Sequence, residues 1–183
     1  MLFTETKLKG AFTVDLELRE DRRGSFARTF CAQEFEAHGL RPAVAQCNLS
    51  INYTKGTLRG MHYQMPPSIE TKLVRCIKGA IYDVIIDLRP ESPTYLSHMG
   101  VELTAENRRA LYIPDRFAHG FQTLMDETEV IYQMGDFYAP EYAAGCRYDD
   151  PAFGINWPLP VSEISDKDKV WSFFEAKAIA TQA

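Results

Sequence analysis

Apolar and polar residues alternate in short blocks along the chain, which is the pattern of strands with one buried face. The clearest blocks are Phe12–Leu18, Tyr82–Leu88, Val101–Leu103 and Thr128–Met134. Turn-forming residues separate the blocks at intervals of about ten residues, which predicts an antiparallel β-sandwich or barrel. The turn signals are Arg23-Gly24, Lys55-Gly56, Lys78-Gly79, Arg89-Pro90, Ser92-Pro93, Pro114-Asp115 and Ala139-Pro140.

Two segments interrupt this pattern and predict short peripheral helices. One is Ala32–His38, which Gly39 follows as a stop signal, and the other is Lys169–Ala180. The strand-helix alternation of dinucleotide-binding folds and the glycine-rich phosphate-binding motifs do not occur in the sequence. A nicotinamide or ATP cofactor is therefore not expected.

Length, charge and cysteine content narrow the class of protein. The 183 residues suit one domain, residues 1–183, and the net charge of −5 argues against a general nucleic-acid-binding protein. No apolar run approaches the roughly 20 residues that span a bilayer, so no membrane association is expected. The four cysteines form no C-x-x-C pair, and we expect reduced thiols in the cytoplasm.

Two histidines, His62 and His119, lie in segments that combine glycine with polar residues. In the first segment, strand alternation places His62 and Gln64 on one face and Arg59 on the other, unless a bulge at Gly60 redirects Arg59. A buried, hydrogen-bonded barrel histidine is the simpler interpretation of such a residue.

Basic residues near the first histidine favour a functional interpretation. Lys72, Arg75 and Lys78 follow it within a strand length, and Arg22 and Arg23 precede it. A solvated surface would also explain these charges. In an acidic protein, however, a basic cluster beside glycine-rich turns suits an anionic ligand such as a diphosphate.

The block Glu129–Pro140 offers two phenols, Tyr132 and Tyr138. Six residues apart, they would share one face of an extended strand. Packing as strand aromatics is the alternative for each of them.

Read together, these blocks resemble the dTDP-4-dehydrorhamnose 3,5-epimerase family nearly from end to end. The segments that carry the resemblance are Asp21–Phe26, Gln46–Ser50, Gly56–Gln64, Lys72–Arg75, Asp83–Arg89, Ser92–Thr94, Ala105–Arg108, Ile113-Pro114, Phe117–Phe121 and Asp149–Pro151. The resemblance implies a mostly β fold, a cupin jelly-roll barrel of antiparallel strands with short peripheral helices. It also implies an isomerase of deoxysugar synthesis that inverts C3, C5 or both of a nucleotide-diphosphate 4-keto-6-deoxy sugar.

The resemblance assigns four catalytic roles. His62 matches the family's base, Tyr132 its acid, and Asp168, in Ser165-Asp-Lys-Asp168, the carboxylate that orients the base. Lys72 would hold charge at the C4 oxygen while His62 removes a proton from one face and Tyr132 returns one to the other. The implied substrate contacts are Arg23, Phe26, Gln46, Asn48, Arg59, Lys72, His119 and Tyr138. A homodimer is implied, in which the strand carrying Arg23 reaches the neighbour's site.

Metal-binding cupins carry a second histidine where this chain has Gln64. His62, Gln64 and His119 remain three conceivable ligands, but a weak neutral amide favours a metal-free mechanism without any cofactor. Two further departures concern the nucleotide. Arg28 and Ala143 stand where the family has glutamates, so the pocket rim is expected to be more electropositive and the base identity stays open.

Three alternatives remain. A single-site epimerase would use the same base and acid, and the sequence does not separate it from a double epimerase. A cupin ketoisomerase has no evident need for an acid on the opposite face, so Tyr132 counts against it. A non-catalytic sugar-nucleotide-binding cupin would not need His62 and Tyr132.

Overall fold

Two antiparallel sheets face each other in the computed structural model, which describes residues 1–175. The first sheet contains, in spatial order, β1 (Leu2–Glu5), β2 (Phe12–Asp15), β10 (Ala110–Ile113), β7 (Lys72–Lys78), β12 (Thr128–Met134) and β5 (Gln46–Asn52). The second contains β13 (Ala143–Gly145), β6 (Thr57–Gln64), β11 (Phe117–Thr123), β8 (Ala80–Asp87) and β9 (His98–Thr104). Strand β14 (Glu163–Ile164) adds to β6 in parallel, and β3 (Arg19–Asp21) pairs with β4 (Gly24–Phe26) as a separate hairpin.

The main core fills the space between the two sheets. Val74 and Leu111 of the first sheet pack there with Ile81, Ile85 and Phe121 of the second. Such facing sheets, with chain-distant strands as neighbours, form the cupin-type jelly roll that the resemblance implies. The predicted fold class is therefore confirmed.

Two further apolar clusters cover the outer faces of the sheets. Helix α1 (Ala32–Ala37) places Phe35 over Val14 and Tyr112 of the first sheet. The chain after β13 lays Phe153 and Trp157 over the second sheet. This C-terminal chain then returns to β6, and that return brings Asp168 to the pocket.

Several predicted elements agree with the structure and two do not. Strand β12 has its predicted bounds and α1 lies within its predicted segment. The block Phe12–Leu18 ends early, because β2 stops at Asp15. The predicted helix Lys169–Ala180 is wrong where the structure describes it, since α2 (Asp166–Lys169) ends at Lys169 and residues 171–175 are not helical. The remainder of that prediction lies outside the described residues.

Among residues 1–175, no helix has the length and hydrophobicity needed to cross a bilayer.

Candidate active site

A cavity of about 690 Å³ opens between the two sheets. Nine of the side chains predicted for the site line it: Gln46, Asn48, Arg59, His62, Lys72, His119, Tyr132, Tyr138 and Asp168. The first sheet contributes Tyr132 from β12, and the second contributes His62 from β6. The two side chains therefore approach the cavity from opposite walls.

A bulge in β6 brings Arg59 and His62 to the same cavity. The register shifts between two pairings, His119 with His62 and Phe121 with Arg59, so β6 uses one residue more than β11. Gly60 lies at this bulge with φ of 126°, and a Cβ there would meet the backbone of Gly120. The bulge considered from the sequence is therefore present, and it redirects Arg59 into the pocket.

His62 forms a short hydrogen bond with Asp168. Its Nε2 lies 2.6 Å from Asp168 Oδ1, and the Asp168 side chain is only 4 % exposed. Burial would raise the pKa of this carboxyl, but the hydrogen bond and charge of His62, with the N–H of Gly60, hold the pKa below its ordinary value. The carboxylate therefore stays charged and fixes the imidazole ring.

A second histidine-carboxylate pair lies beside the first. His119 is the cross-strand neighbour of His62, and its Nε2 lies 2.6 Å from Oδ1 of the fully buried Asp83. No role was predicted for Asp83 from the sequence. The available signal was a carboxylate in the largely apolar strand block Tyr82–Leu88, since buried carboxylates need a partner.

Lys72 enters the pocket as half of a buried ion pair. Its Nζ lies 3.2 Å from Glu70 Oε1, both side chains are 9 % exposed, and Nζ also donates to the backbone oxygen of His62 at 3.4 Å. Glu70 lines the cavity too and was missed by the sequence analysis. The pair keeps a cation and an anion together at the pocket wall.

The prediction that Lys72, Arg75 and Lys78 form one basic cluster is wrong. Strand alternation turns Arg75 to the opposite face of β7 from Lys72, and Lys78 lies exposed beside Glu129. Arg75 is buried there, and burial lowers the pKa of its guanidinium to about 10. No described residue accepts a hydrogen bond from either of its terminal nitrogens.

The two predicted tyrosines line the cavity from different elements. Tyr132 is half-buried in β12, and burial raises the pKa of its phenol while Ser50 and Arg59 oppose that effect. Tyr138 follows the end of β12 and is 61 % exposed. The expectation that both phenols lie on one extended strand is therefore wrong, although both reach the pocket.

Gln64 supports the loop that carries Tyr138. Its amide donates to Ser68 Oγ at 2.9 Å and to the backbone oxygen of Phe137, while its oxygen accepts from the N–H of Ala139 at 2.7 Å. This amide is fully used in holding the loop. Within the described part of the chain, no three His, Cys, Asp or Glu side chains are grouped as metal ligands.

Two predicted contacts lie away from the cavity of their own chain. Arg23 and Phe26 are exposed on the β3–β4 hairpin, where Arg23 pairs with Asp21 at 2.6 Å. Of the two departures in the nucleotide region, Arg28 forms an ion pair with Glu34 at 2.9 Å, and Ala143 lines the pocket.

The chain is similar over most of its length to known dTDP-sugar epimerases. The family profile described as dTDP-4-dehydrorhamnose 3,5-epimerase matches residues 5–176. The chain is 44 % identical over 172 residues to the dTDP-4-dehydrorhamnose 3,5-epimerase of Methanothermobacter thermautotrophicus, covering 92 % of each protein. It is 35 % identical over 163 residues to the dTDP-4-dehydrorhamnose 3-epimerase of Streptomyces niveus, covering 88 % of this chain and 78 % of that one.

The fold also agrees closely with that of a solved structure. The Bacillus anthracis dTDP-4-dehydrorhamnose 3,5-epimerase, crystallised with TDP and PPi bound, superimposes with a TM-score of 0.91. The two sequences are 36 % identical, and the match covers 94 % of this chain and 99 % of that one.

Proposed function

Because the chain belongs to the dTDP-4-dehydrorhamnose 3,5-epimerase family, we propose that it inverts C3 and C5 of a dTDP-linked 4-keto-6-deoxy sugar. The observation that carries the proposal is the placement of His62 and Tyr132 on opposite walls of one cavity. Inversion of a carbon needs removal of a proton from one face and delivery to the other, and these two walls supply one group each.

His62 is the base in this mechanism. With Nε2 held by Asp168, Nδ1 is the ring nitrogen available to the sugar. It takes the C3 or C5 proton, and the electron pair of the broken C–H bond moves into the ring to form an enolate with the charge on the C4 oxygen. The Asp168 carboxylate stabilises the resulting imidazolium.

The enolate must be stabilised, because an imidazole is too weak a base to ionise this C–H bond unaided. Lys72 supplies a cation for the C4 oxygen, and a positioned donor of this kind contributes about 3–4 kcal/mol. Glu70 fixes the ammonium group at the pocket wall. His119, locked by Asp83, is a second donor on the same side as His62.

Tyr132 is the acid. Burial keeps the pKa of its phenol above the ordinary value, so the phenol carries its proton at neutral pH and can deliver it to the face opposite His62. The enolate then returns to a ketone with inverted configuration. The histidine releases its proton to solvent and the tyrosinate regains one, which restores the starting state.

Inversion at one carbon only is the second candidate, and the similarity to the Streptomyces niveus protein, which is named a 3-epimerase, favours keeping it. Both reactions use the same base and acid. We expect incubation with dTDP-4-keto-6-deoxy-glucose, followed by NMR, to show inversion at C3 and C5. Inversion at C3 alone would establish the second candidate, and recovery of unchanged substrate would overturn both in favour of a non-catalytic binding protein.

The same proposal includes a homodimer in which the β3–β4 hairpin delivers Arg23 and Phe26 to the partner's pocket. The charges of the cavity support it. Its three basic side chains, Arg59, Lys72 and Lys167, are matched by three acidic ones, Glu70, Glu163 and Asp168. These charges cancel, so a further cation is needed to bind a nucleotide diphosphate. Arg23 is exposed and does not line the pocket of its own chain.

The outer face of the first sheet offers a contact surface for this dimer. Leu49, Ile51 and Ile77 are about half exposed there, and the terminal nitrogens of Arg75 have no acceptor among the described residues. A buried guanidinium without acceptors is costly, and a second copy would supply them.

Thymine is the base that the family membership favours. The ion pair of Arg28 with Glu34 offsets its added charge, so Ala143 is the departure that bears on the pocket itself. Binding isotherms for thymidine, cytidine, guanosine and uridine diphosphates at one salt concentration test this choice. We expect thymidine diphosphate to be preferred by more than about tenfold, and equal affinities would contradict this expectation.

The proposal also places the protein in the reducing cytoplasm, where its four cysteines remain free thiols.

A further inference from the structure

The indole of Trp171 donates a hydrogen bond to the carboxylate that holds the base. Its Nε1 lies 3.3 Å from Asp168 Oδ1, the same oxygen that lies 2.6 Å from His62 Nε2. The other oxygen, Oδ2, accepts from the N–H of Gly60 at 3.2 Å. Asp168 thus has three donors around its two oxygens, and two of them, His62 and Trp171, are side chains that line the cavity.

The indole packs against Gly145 and Lys167. A Cβ atom on Gly145 of β13 would overlap Cε2 and Nε1 of the ring, so only glycine fits there. The ammonium group of Lys167 lies 5.3 Å from the ring centroid, as in a cation–π contact. The ring can therefore neither sink towards β13 nor turn freely about its side-chain bonds.

The backbone around Trp171 is anchored on both sides. Ser165 caps α2 by accepting from the N–H of Asp168 at 3.1 Å. Beyond Trp171, the N–H of Phe174 donates to Asp150 at 2.5 Å, and the ring of Phe174 packs on Phe153. The segment that carries the indole is thus fixed before and after the hydrogen bond to Asp168.

We propose that Trp171 is a positioning residue for the base, which fixes the rotation of the Asp168 carboxylate and shares the negative charge of Oδ1. The inference rests on the proposed function only in taking His62 as the base. The indole N–H draws charge away from the oxygen that faces the imidazole, so it limits how strongly Asp168 stabilises the imidazolium. In this way Trp171 influences how readily His62 accepts a proton from the sugar.

Substitution of Trp171 by phenylalanine removes the N–H and keeps an aromatic ring beside Gly145 and Lys167. The Oδ1 oxygen then offers more charge to the imidazolium, so the acid limb of kcat/KM is expected to move to higher pH by about half a unit. The plateau of kcat/KM is expected to fall severalfold, because the carboxylate loses one of its three donors. The other ionisable side chains that line the cavity are Arg59, Tyr63, Glu70, Lys72, His119, Tyr132, Tyr138, Glu163 and Lys167, and the substitution leaves all of them in place.

The second tryptophan of the chain gives a matched control. Trp157 Nε1 donates to the backbone oxygen of Tyr148 at 2.9 Å, away from the cavity. Trp157→Phe makes the same chemical change and should leave the pH profile where it is. An unshifted acid limb in Trp171→Phe, or an equal shift in Trp157→Phe, would overturn the proposal.

A measurement without substrate separates this inference from the proposed function. Protein labelled with ¹⁵N-tryptophan gives two indole N–H signals, one for each tryptophan, and Trp171→Phe identifies the signal of Trp171. That signal is expected to shift with pH in the wild type and to stop titrating in His62→Asn, whether or not the protein epimerises a sugar. A Trp171 signal that does not titrate in the wild type, or that titrates unchanged in His62→Asn, would contradict a hydrogen bond to the His62–Asp168 pair.

Discussion

Asp168 Oδ1 lies 2.6 Å from His62 Nε2, although 106 residues separate the two in the chain. The contact depends on β14 joining β6 in parallel and on the short helix α2, which starts at the Ser165 cap. Both features also line the cavity, β14 through Glu163 and α2 through Lys167 and Asp168. Both are needed to bring a charged carboxylate to the buried side of the imidazole.

Replacing Asp168 with asparagine is expected to destabilise the fold in a pH-dependent way. The carboxyl pKa is lower in the folded protein than in the unfolded chain, so its stabilisation is present above the unfolded pKa of about 3.9 and is lost as the pH falls through the folded value. We expect Asp168→Asn to lower the free energy of unfolding by about 1–2 kcal/mol near pH 5, with a difference that shrinks below about pH 4.

Asp166→Asn in the same helix is the control for that measurement. The Asp166 side chain is 99 % exposed and, within residues 1–175, pairs only with Lys169 at the surface, so its loss should change stability by less than about 0.5 kcal/mol. A difference for Asp168→Asn that stays constant down to about pH 3 would contradict a depressed pKa.

Removing the phenol of Tyr132 should separate proton abstraction from inversion. In Tyr132→Phe the base still works, so exchange of the sugar proton with heavy water at the starting configuration should survive within about tenfold, while net inversion falls by about 10²-fold or more. Tyr112→Phe, which removes a phenol beneath α1 on the outer sheet face, should leave both rates unchanged. Equal loss of exchange and inversion in Tyr132→Phe would indicate a structural role.

Prolonged treatment with EDTA should leave activity intact. The amide of Gln64 is committed to Ser68, Phe137 and Ala139, and each histidine of the site has Nε2 on a carboxylate. Activity is measured before treatment, after treatment and after addition of single divalent ions. Inactivation that one added ion reverses would contradict the metal-free mechanism.

Mixing two inactive variants tests whether Arg23 acts across the dimer. In a heterodimer of Arg23→Ala and His62→Asn, one site carries both defects and the other neither, provided that Arg23 serves the partner's pocket. Random re-pairing makes half of the dimers mixed, so about a quarter of wild-type activity should return. If Arg23 serves its own pocket, the mixture stays as inactive as its components.

The sequence predicts the parts of this molecule that follow from local pattern, and fails where distant contacts decide. The half-buried strand β12 alternates visibly, so its bounds and the inward position of Tyr132 were predictable. Strand β7 is buried over most of its length, and Lys72 and Arg75, three residues apart, lie on opposite faces. Sequence proximity therefore suggested one basic cluster where there are two separate sites.

The residues that were not predicted from the sequence are hydrogen-bonding or ion-pairing partners of other site residues, and none of them has a proton-transfer role in the proposed reaction. Asp83, Glu70 and Trp171 act on His119, Lys72 and Asp168, and the first of these contacts depends on cross-strand register. Asp83 of β8 reaches His119 of β11, which lies 36 residues further along the chain. No local pattern encodes such a pairing.

Exchange of the sugar proton with heavy water shows whether His62 is the base. Wild-type protein is incubated with a dTDP-linked 4-keto-6-deoxy sugar in deuterium oxide beside His62→Asn and the control His38→Asn, whose ring stacks on Phe3 at the surface. We expect the wild type and the control to incorporate deuterium at C3 and C5. We expect His62→Asn to incorporate it at a rate at least about 10³-fold lower while still binding the nucleotide. Exchange at the wild-type rate in His62→Asn would contradict the assignment of His62 as the base.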